Sequence, residues 1–252
     1  MSSMPELLQI NSREKPKIVV AIPAYNEEKF IAEVVHKARI FADEVVVVDD
    51  GSQDDTYRVA KAAGALVLSH RVNKGYGEVI RSCFRAAKTN DADILVTIDG
   101  DNQHNSEEIS AIVAPILNNE ADMVIGSRFL TTIKQASIPR YRKLGIRLIT
   151  WLYNLNSKNK ISDAQSGFRA YSRKLLNDIY TTEKGMGISI EILLKARERN
   201  FVIEELPISC SYHAQSSTLN PTYHGLNVTM TMLKLVMMGW LSRLIKRIRQ
   251  KS

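Results

Sequence analysis

The stretch Asp93-Ile94-Leu95-Val96-Thr97-Ile98-Asp99-Gly100-Asp101-Asn102-Gln103-His104 decides how the rest of the chain is read. Asp93 to Ile98 predicts a strand. Its lack of polar alternation predicts burial on both faces, as in a parallel sheet. The two acids then fall at the strand's carboxyl end, where open α/β sheets bind ligands. Residues two apart in an extended chain point to one side, so Asp99 and Asp101 share a face. Two carboxylates and an amide oxygen there form an all-oxygen nest suited to Mg²⁺ or Mn²⁺. A lone Asp-x-Asp is more often a solvated acidic turn, so the reading depends on the neighbouring strands.

Those strands repeat the arrangement. Lys17 to Ile22 predicts a strand that stops at Pro23, followed by helical periodicity from Glu27 to Phe41. Glu44 to Val48 predicts a second strand, ending in Asp49-Asp50-Gly51-Ser52, and a helix follows from Asp54 to Ala63. Ala65 to Leu68 is a third strand, and Lys74-Gly75-Tyr76-Gly77 opens a helix to Lys88. Ser106 to Leu117 predicts a helix with Ser106 as its N-cap. Asp122 to Ile125 is a fifth strand, closed by Gly126-Ser127-Arg128. Apolar strands separated by amphipathic helices give an α/β fold, a doubly wound, mostly parallel sheet flanked by helices. Three acidic or polar stretches, at 23–27, 49–52 and 99–104, should converge on one crevice at the sheet's carboxyl edge. No Gly-x-Gly-x-x-Gly follows the first strand and no Walker lysine motif is present, which disfavours a dinucleotide or P-loop site. The second half is less regular. Arg140 to Leu155 predicts a helix, as does the region of Ile188 to Asn200; Phe201 to Tyr212 gives strand pieces broken at Pro207, and 214–223 a loop.

With 252 residues, 44% hydrophobic and 24% charged, the chain has an ordinary globular composition and enough length for a sizeable core. Two cysteines, Cys83 and Cys210, make neither a disulfide framework nor a metal spacing and suit a reducing compartment. The first residues lack the apolar core of a signal peptide, and no stretch offers about 20 uninterrupted apolar residues for a membrane span. Net charge is +7. Residues 226–252 hold six basic residues and no acidic one, so the remainder is near neutral.

At Ile22-Pro23-Ala24-Tyr25-Asn26-Glu27, Val48-Asp49-Asp50-Gly51-Ser52, Asn73-Lys74-Gly75, Asp99 to His104, Gly126-Ser127-Arg128 and Ser166-Gly167-Phe168-Arg169, the chain resembles the family-2 glycosyltransferases of GT-A fold. Within them it is most similar to the polyprenyl-phosphate branch, which includes the dolichyl-phosphate mannose and glucose synthases. The resemblance implies that Pro23, Ala24, Tyr25, Glu27, Val48 and Asp50 line a nucleoside pocket. Lys74 is carried with them as a donor-binding residue. Asp99, Asp101 and Gln103 are implied to hold Mg²⁺ or Mn²⁺ and the donor diphosphate, with Gly100 in place of the alanine common between the acids. Arg128 and one or more of Arg140, Arg142 and Arg147 are implied to meet the acceptor phosphate, which suits the planar fork of arginine. His213 stands where relatives often carry an arginine near the donor phosphates; it is read either as that contact or as a packed or solvated loop residue.

The expected reaction is inverting transfer of a hexose from a nucleotide sugar (GDP-mannose, UDP-glucose or UDP-GlcNAc) to dolichyl or another polyprenyl phosphate. The catalytic residues are then Asp101, Arg128 and Asp163. A lipid phosphate is already an anion, so arginines that position it suffice. The rival is transfer to a sugar hydroxyl in polysaccharide or glycolipid assembly, which needs a general base. Asp163 is the candidate for it, or else a helix cap or a partner for Arg169. The expected organisation is an extension over 1–16, a catalytic domain over 17–225 and a basic amphipathic helix over 226–252. The catalytic domain divides into a nucleotide-binding half, 17–128, and an acceptor-binding half, 129–225. The terminal helix either lies on a membrane surface or packs on the domain. The relatives' membrane-spanning helices are not found after it, so a cytoplasmic protein at the cytoplasmic face of the membrane is expected. No recognition module for nucleic acid is visible.

Overall fold

A computed structural model describes residues 15–130, 138, 140–155, 157 and 159–211. Among the described residues, seven strands form one sheet: β1 (Ile18–Ala24), β2 (Glu44–Asp49), β3 (Leu66–Ser69), β4 (Ile94–Thr97), β5 (Met123–Ser127), β6 (Arg169–Ser172) and β7 (Ile203–Pro207). Around it lie α1 (Ile31–Ala38), α2 (Thr56–Ala62), α3 (Tyr76–Thr89), α4 (Ile109–Leu117), α5 (Arg140–Asn154), α6 (Arg173–Asp178) and α7 (Ile188–Glu198). The strand order is β3-β2-β1-β4-β6-β5-β7. The pairs β1·β2, β2·β3, β1·β4 and β5·β7 are parallel, while β6 runs antiparallel to both neighbours.

Alternation along β1 builds both layers of the core. Val19 and Ala21 pack toward one cluster with Val79, Ile80 and Cys83 of α3, Ile149 and Tyr153 of α5, and Leu193 of α7. Val20 and Ile22 pack toward the other, with Val34 and Val35 of α1, Ala60 of α2, and Ile109 and Ile112 of α4. Both faces of the sheet are therefore covered, as the unbroken apolar strands predict.

The chain moves outward from β1 through β2 to β3, then crosses back to lay β4 on the other side of β1. The strand order reverses between β1 and β4. The loops after those two strands, which begin at Tyr25 and Ile98, face one another across that crevice.

Several boundaries differ from the sequence expectation. Pro23 lies inside β1 and does not end it. The Ala21 carbonyl accepts from the Ile98 amide on the β4 side, and the Ala24 carbonyl accepts from the Asp50 amide on the β2 side. By that alternation Pro23 turns its nitrogen toward β4, whose ladder with β1 has ended at Thr97, so no donor is missed. The helix expected from Glu27 begins at Ile31 after a hydrogen-bonded turn on the Glu27 carbonyl. The helix expected from Ser106 opens as a 3-10 turn over Ser106–Glu108. Its cap is Asn105, whose side chain accepts from the Glu107 amide, and not Ser106. Strand β6 was not anticipated. Arg-Ala-Tyr-Ser has no apolar run, and Arg169 is buried because its guanidinium donates to the Ala164 and Ser189 carbonyls at 2.7 and 3.0 Å. Because β6 sits between β4 and β5, the two halves expected from the sequence contribute to a single sheet.

The loop that fixes the start of α3 is braced by one acid. Glu191, 2% exposed, accepts from the Thr182 and Glu183 amides and pairs with Lys195 at 2.8 Å. Next along, the Lys184 carbonyl receives the Gly77 amide of α3. Glu191→Ala should strand those two amides and lower the unfolding free energy by about 3 kcal/mol. A urea titration followed by circular dichroism measures it; an unchanged midpoint would show the brace to be idle.

Candidate active site

The acidic crevice is assembled from the ends of β1 and β4. Asp99 follows β4 by two residues and keeps 34% of its side chain exposed. Asp101 is half-buried, and its Oδ1 accepts the Gln103 amide at 3.1 Å. Asn102 makes this turn possible by adopting φ +56°. His104 is buried and sets Nε2 3.5 Å from Asp99 Oδ2, while its Nδ1 has no hydrogen-bond partner among the described residues. Across the crevice, the Glu27 amide is anchored on Thr56 Oγ1 at 2.7 Å. Its carboxyl answers to the acids opposite: burial first, then the charges of Asp101, Asp99 and Asp54, push its pKa up to about 8.

The three carboxylates are unequal. Burial and the Asp99 charge raise Asp101 to about 6, against the lowering pull of the Gln103 amide, His104 and Arg142. Burial would raise Asp99 too, but the His104 hydrogen bond and the charges of His104, Arg128 and Arg169 outweigh it and hold Asp99 below its ordinary value. One acid is thus kept ionised while its neighbours resist ionisation, as expected when like charges share a site.

A divalent cation suits this donor set. The oxygens are hard, and repulsion among Glu27, Asp99 and Asp101 is what a cation relieves. Among the described residues no cluster of three or more His, Cys, Asp and Glu side chains can hold an ion alone. That fits Mg²⁺ or Mn²⁺, which commonly take one or two carboxylates and complete their shell with substrate phosphates. Room for the Asp99 carboxylate depends on Gly167. A Cβ there would stand 2.5 Å from Asp99 Oδ2.

Arg128 reaches this centre from the end of β5. Its Nε and Nη2 donate to Asp163 Oδ2 and Oδ1 at 2.7 and 2.9 Å, a two-pronged grip on a fully buried carboxylate. Burial opposes ionisation of Asp163, but Arg128 prevails and holds its pKa below the ordinary value. Asp163 is therefore partnered by Arg128, not Arg169, and is a weak base. Arg142, on α5, bears on Asp101 by charge. Arg147 is exposed on another face of that helix.

The nucleoside side reads differently from the expectation at three residues. Val48 is wholly buried in the core, and Ala24 nearly so, so neither side chain lines a cleft. Asp50 is buried with its carboxylate engaged. It accepts from the Lys74 and Gly75 amides, both at 2.9 Å, and meets His70 Nδ1 at 2.7 Å. His70 Nε2 continues to Ser82 Oγ of α3 at 2.9 Å. Asp50 thus ties the loop at 70–75 to the end of β2, and Lys74 enters through its backbone while its side chain is exposed. Gly51, at φ +72°, lets that loop close, since a Cβ would lie 2.8 Å from the Val72 carbonyl carbon. Tyr25 is 38% exposed at the head of the crevice. His70, His104 and Gly167 were not singled out as site residues. The β2–β3 register, which sets Asp49 beside Ser69, is what brings His70 to Asp50. His213 and 226–252 lie outside the described residues.

The family model for "Glycosyl transferase family 2" matches residues 19–180. This chain belongs to glycosyl transferase family 2. It is 31% identical to a UDP-N-acetylglucosamine–dolichyl-phosphate N-acetylglucosaminyltransferase of Methanococcus voltae, over 77% of this chain and 86% of that one. It is 30% identical to a dolichyl-phosphate hexose transferase of Haloferax volcanii, over 86% and 93%. The glucosyl-3-phosphoglycerate synthase of Mycobacterium tuberculosis, solved with Mn²⁺, UDP-glucose and phosphoglyceric acid, superposes with a TM-score of 0.69 at 26% identity, covering 88% of this chain and 80% of that one. The expected GT-A fold and glycosyltransferase class are thereby borne out.

Two outcomes check this geometry. Gly167→Ala should displace the Asp99 carboxylate and cost about 100-fold in sugar transfer, as an ångström-scale misplacement does; wild-type turnover would count against the close approach. Asp163, with its folded pKa depressed, stabilises fully above its unfolded value of about 3.9, and that stabilisation is lost as pH falls through the folded value. The difference in unfolding free energy between wild type and Asp163→Asn should therefore shrink below about pH 4, and a difference independent of pH would break the assignment.

Proposed function

We propose that this glycosyltransferase moves a hexose from a nucleotide sugar to a polyprenyl phosphate of the dolichyl type, with inversion at the anomeric carbon. The observation that carries the reading is the pairing of acids with arginines. Arg128, at the end of β5, bears on Asp99 by charge, and Arg142 of α5 bears on Asp101. An acceptor phosphate drawn between those arginines arrives already ionised, so it needs no proton removed. A hydroxyl acceptor would need a base, and Asp163 is held by Arg128 in its weakly basic form. The relatives named for dolichyl-phosphate transfer support the same choice.

Asp99, Asp101 and Gln103 would hold Mg²⁺ or Mn²⁺, with Gly100 between the two acids. The bound cation supplies Lewis acidity to the departing diphosphate. Glu27, Pro23, Ala24 and Tyr25 frame the donor's nucleoside, Tyr25 with its open ring and Ala24 through its backbone. Asp50 and Lys74 shape that pocket by fixing the loop at 70–75. Arg128, steadied by Asp163, and Arg142 set the acceptor phosphate behind the sugar, so that it attacks opposite the leaving group. Since the acceptor is a membrane lipid, the protein works at the cytoplasmic membrane surface. No helix among the described residues is long and apolar enough to cross a membrane.

Purified protein with Mn²⁺ or Mg²⁺, labelled UDP- and GDP-sugars in turn, and dolichyl phosphate should give a chloroform-soluble product. Asp101→Asn should lower its formation by about 1,000-fold, and Arg142→Gln should raise the KM for the lipid phosphate more than that for the donor. Turnover confined to a sugar hydroxyl acceptor would remove the lipid-phosphate reading, and full activity in Asp101→Asn would remove the metal assignment.

A further inference from the structure

We propose that the outward face of α5 is a membrane-docking surface, an apolar stripe with basic flanks that seats on anionic lipid head groups. Leu144, Leu148, Trp151 and Leu155 are 71%, 46%, 57% and 55% exposed. They recur at spacings of four, three and four, so they form one line along the helix and onto the residue just past its end. The opposite line, Ile146, Ile149, Thr150 and Tyr153, is buried against the domain. Helices that rest on a protein bury their apolar stripe and expose their polar one. This helix has a second apolar stripe directed at solvent, and four large side chains in line exceed the scatter of single exposed apolar residues.

Charge selects the occupant. From Arg140 to Leu155 there are four basic residues and no acidic one. Arg140 and Arg147 are exposed and flank the stripe on one side. A second copy docking its own α5 would bring cation against cation. Residues 226–252, with six basic side chains and no acid, would meet the same repulsion if they folded over the stripe. An anionic bilayer complements both segments. Leucines and a tryptophan would enter the boundary of head groups and acyl chains, with arginines at phosphate depth.

The placement also deepens the acceptor reading, on which its purpose, though not the binding, rests. Arg142 lies roughly 160° around the helix from Leu144 and bears on Asp101. One helix therefore turns its lipid-facing side outward and its phosphate-facing side toward the acids, and the acceptor's head group and tail lie on opposite sides of α5.

Full-length protein is mixed with phosphatidylserine–phosphatidylcholine vesicles and with pure phosphatidylcholine vesicles, and partition is measured by sedimentation. The triple variant Leu144→Ser, Leu148→Ser, Trp151→Ser should partition at least ~10-fold less into the anionic vesicles, with its urea midpoint unchanged because all three positions are exposed. In a Trp240→Phe background, Trp151 emission should shift to the blue on vesicle addition. Unchanged partition in the triple variant, or an unshifted emission, would overturn the proposal. A fall in molecular mass of the triple variant with unchanged partition would assign the stripe to a second copy. A lowered urea midpoint with unchanged partition would assign it to the chain's own residues 226–252. Transfer assays separate the two readings. The triple variant should keep wild-type transfer to a short, water-soluble prenyl phosphate while losing transfer to dolichyl phosphate in vesicles. If wild type used no prenyl phosphate at all yet Trp151 still shifted, the acceptor reading would fall and the docking surface would stand.

Discussion

Three carboxylates forced into one crevice are the constraint from which the rest of this molecule follows. The crossing from β3 back to β4 sets β4 beside β1, and the loops after those strands carry Glu27, Asp99 and Asp101. Nothing in the sheet itself tolerates that crowding. Glu27 and Asp101 register it directly, driven up to about 8 and about 6. Asp99 escapes only because His104, Arg128 and Arg169 are arrayed around it. Positive charge must therefore be imported, and the fold imports it from the segments that follow β4. Arg128 arrives at the end of β5, Arg169 on β6 and Arg142 on α5. The antiparallel insertion of β6 between β4 and β5 is the topological means by which Arg169 and Gly167 are laid against Asp99.

The imported cations are themselves held. A guanidinium facing an acid pair would swing to the nearest carboxylate unless another anion fixed it. Asp163 does so for Arg128 with two hydrogen bonds to a single buried partner, while Glu205 in turn receives the Ser162 and Asp163 amides at 2.6 and 2.9 Å. Arg169 is fixed differently, by the carbonyls of Ala164 and Ser189. The result is a rigid field around a crevice that still lacks charge balance, which is the condition under which a divalent cation and a diphosphate bind together.

Much of this was legible in the chain because it is local. Apolar runs without alternation specify β1, β2, β4 and β5, and the acids sit within a few residues of those strand ends, so the crevice follows from the rule for open sheets. What was illegible is long-range. Val48 belongs to a motif beside the nucleoside residues, but strand parity sends its side chain into the core toward Ile80 and Cys83. Asp50 carries an acid's charge in the sequence, yet its partners are two amides and His70 from a loop some 20 residues on. That pairing exists only once β3 is laid beside β2. Pro23 was read as a stop from its own chemistry, and only the early end of the β1·β4 ladder makes it a permissible member of a central strand. Arg169 is the extreme instance. A charged residue at the head of β6 looks like surface, and its burial depends on carbonyls at 164 and 189 that no local pattern announces.

The two sides of α5 differ in the same way. The inward side carries Arg142, which the family resemblance implies for the acceptor phosphate and whose charge bears on Asp101. Leucine and tryptophan in a helix suggest a core, but helical periodicity does not say which of two stripes is buried. Helical spacing over 140–155 supports both lines of residues, and the seating of Ile149 and Tyr153 on the domain decides which one is left outside. An enzyme that joins a soluble sugar donor to a lipid anchored in a bilayer must hold its reaction centre a fixed, short distance from the head groups. A helix only about 10 Å across, apolar on one side and cationic toward the acids on the other, fixes that distance by its own thickness.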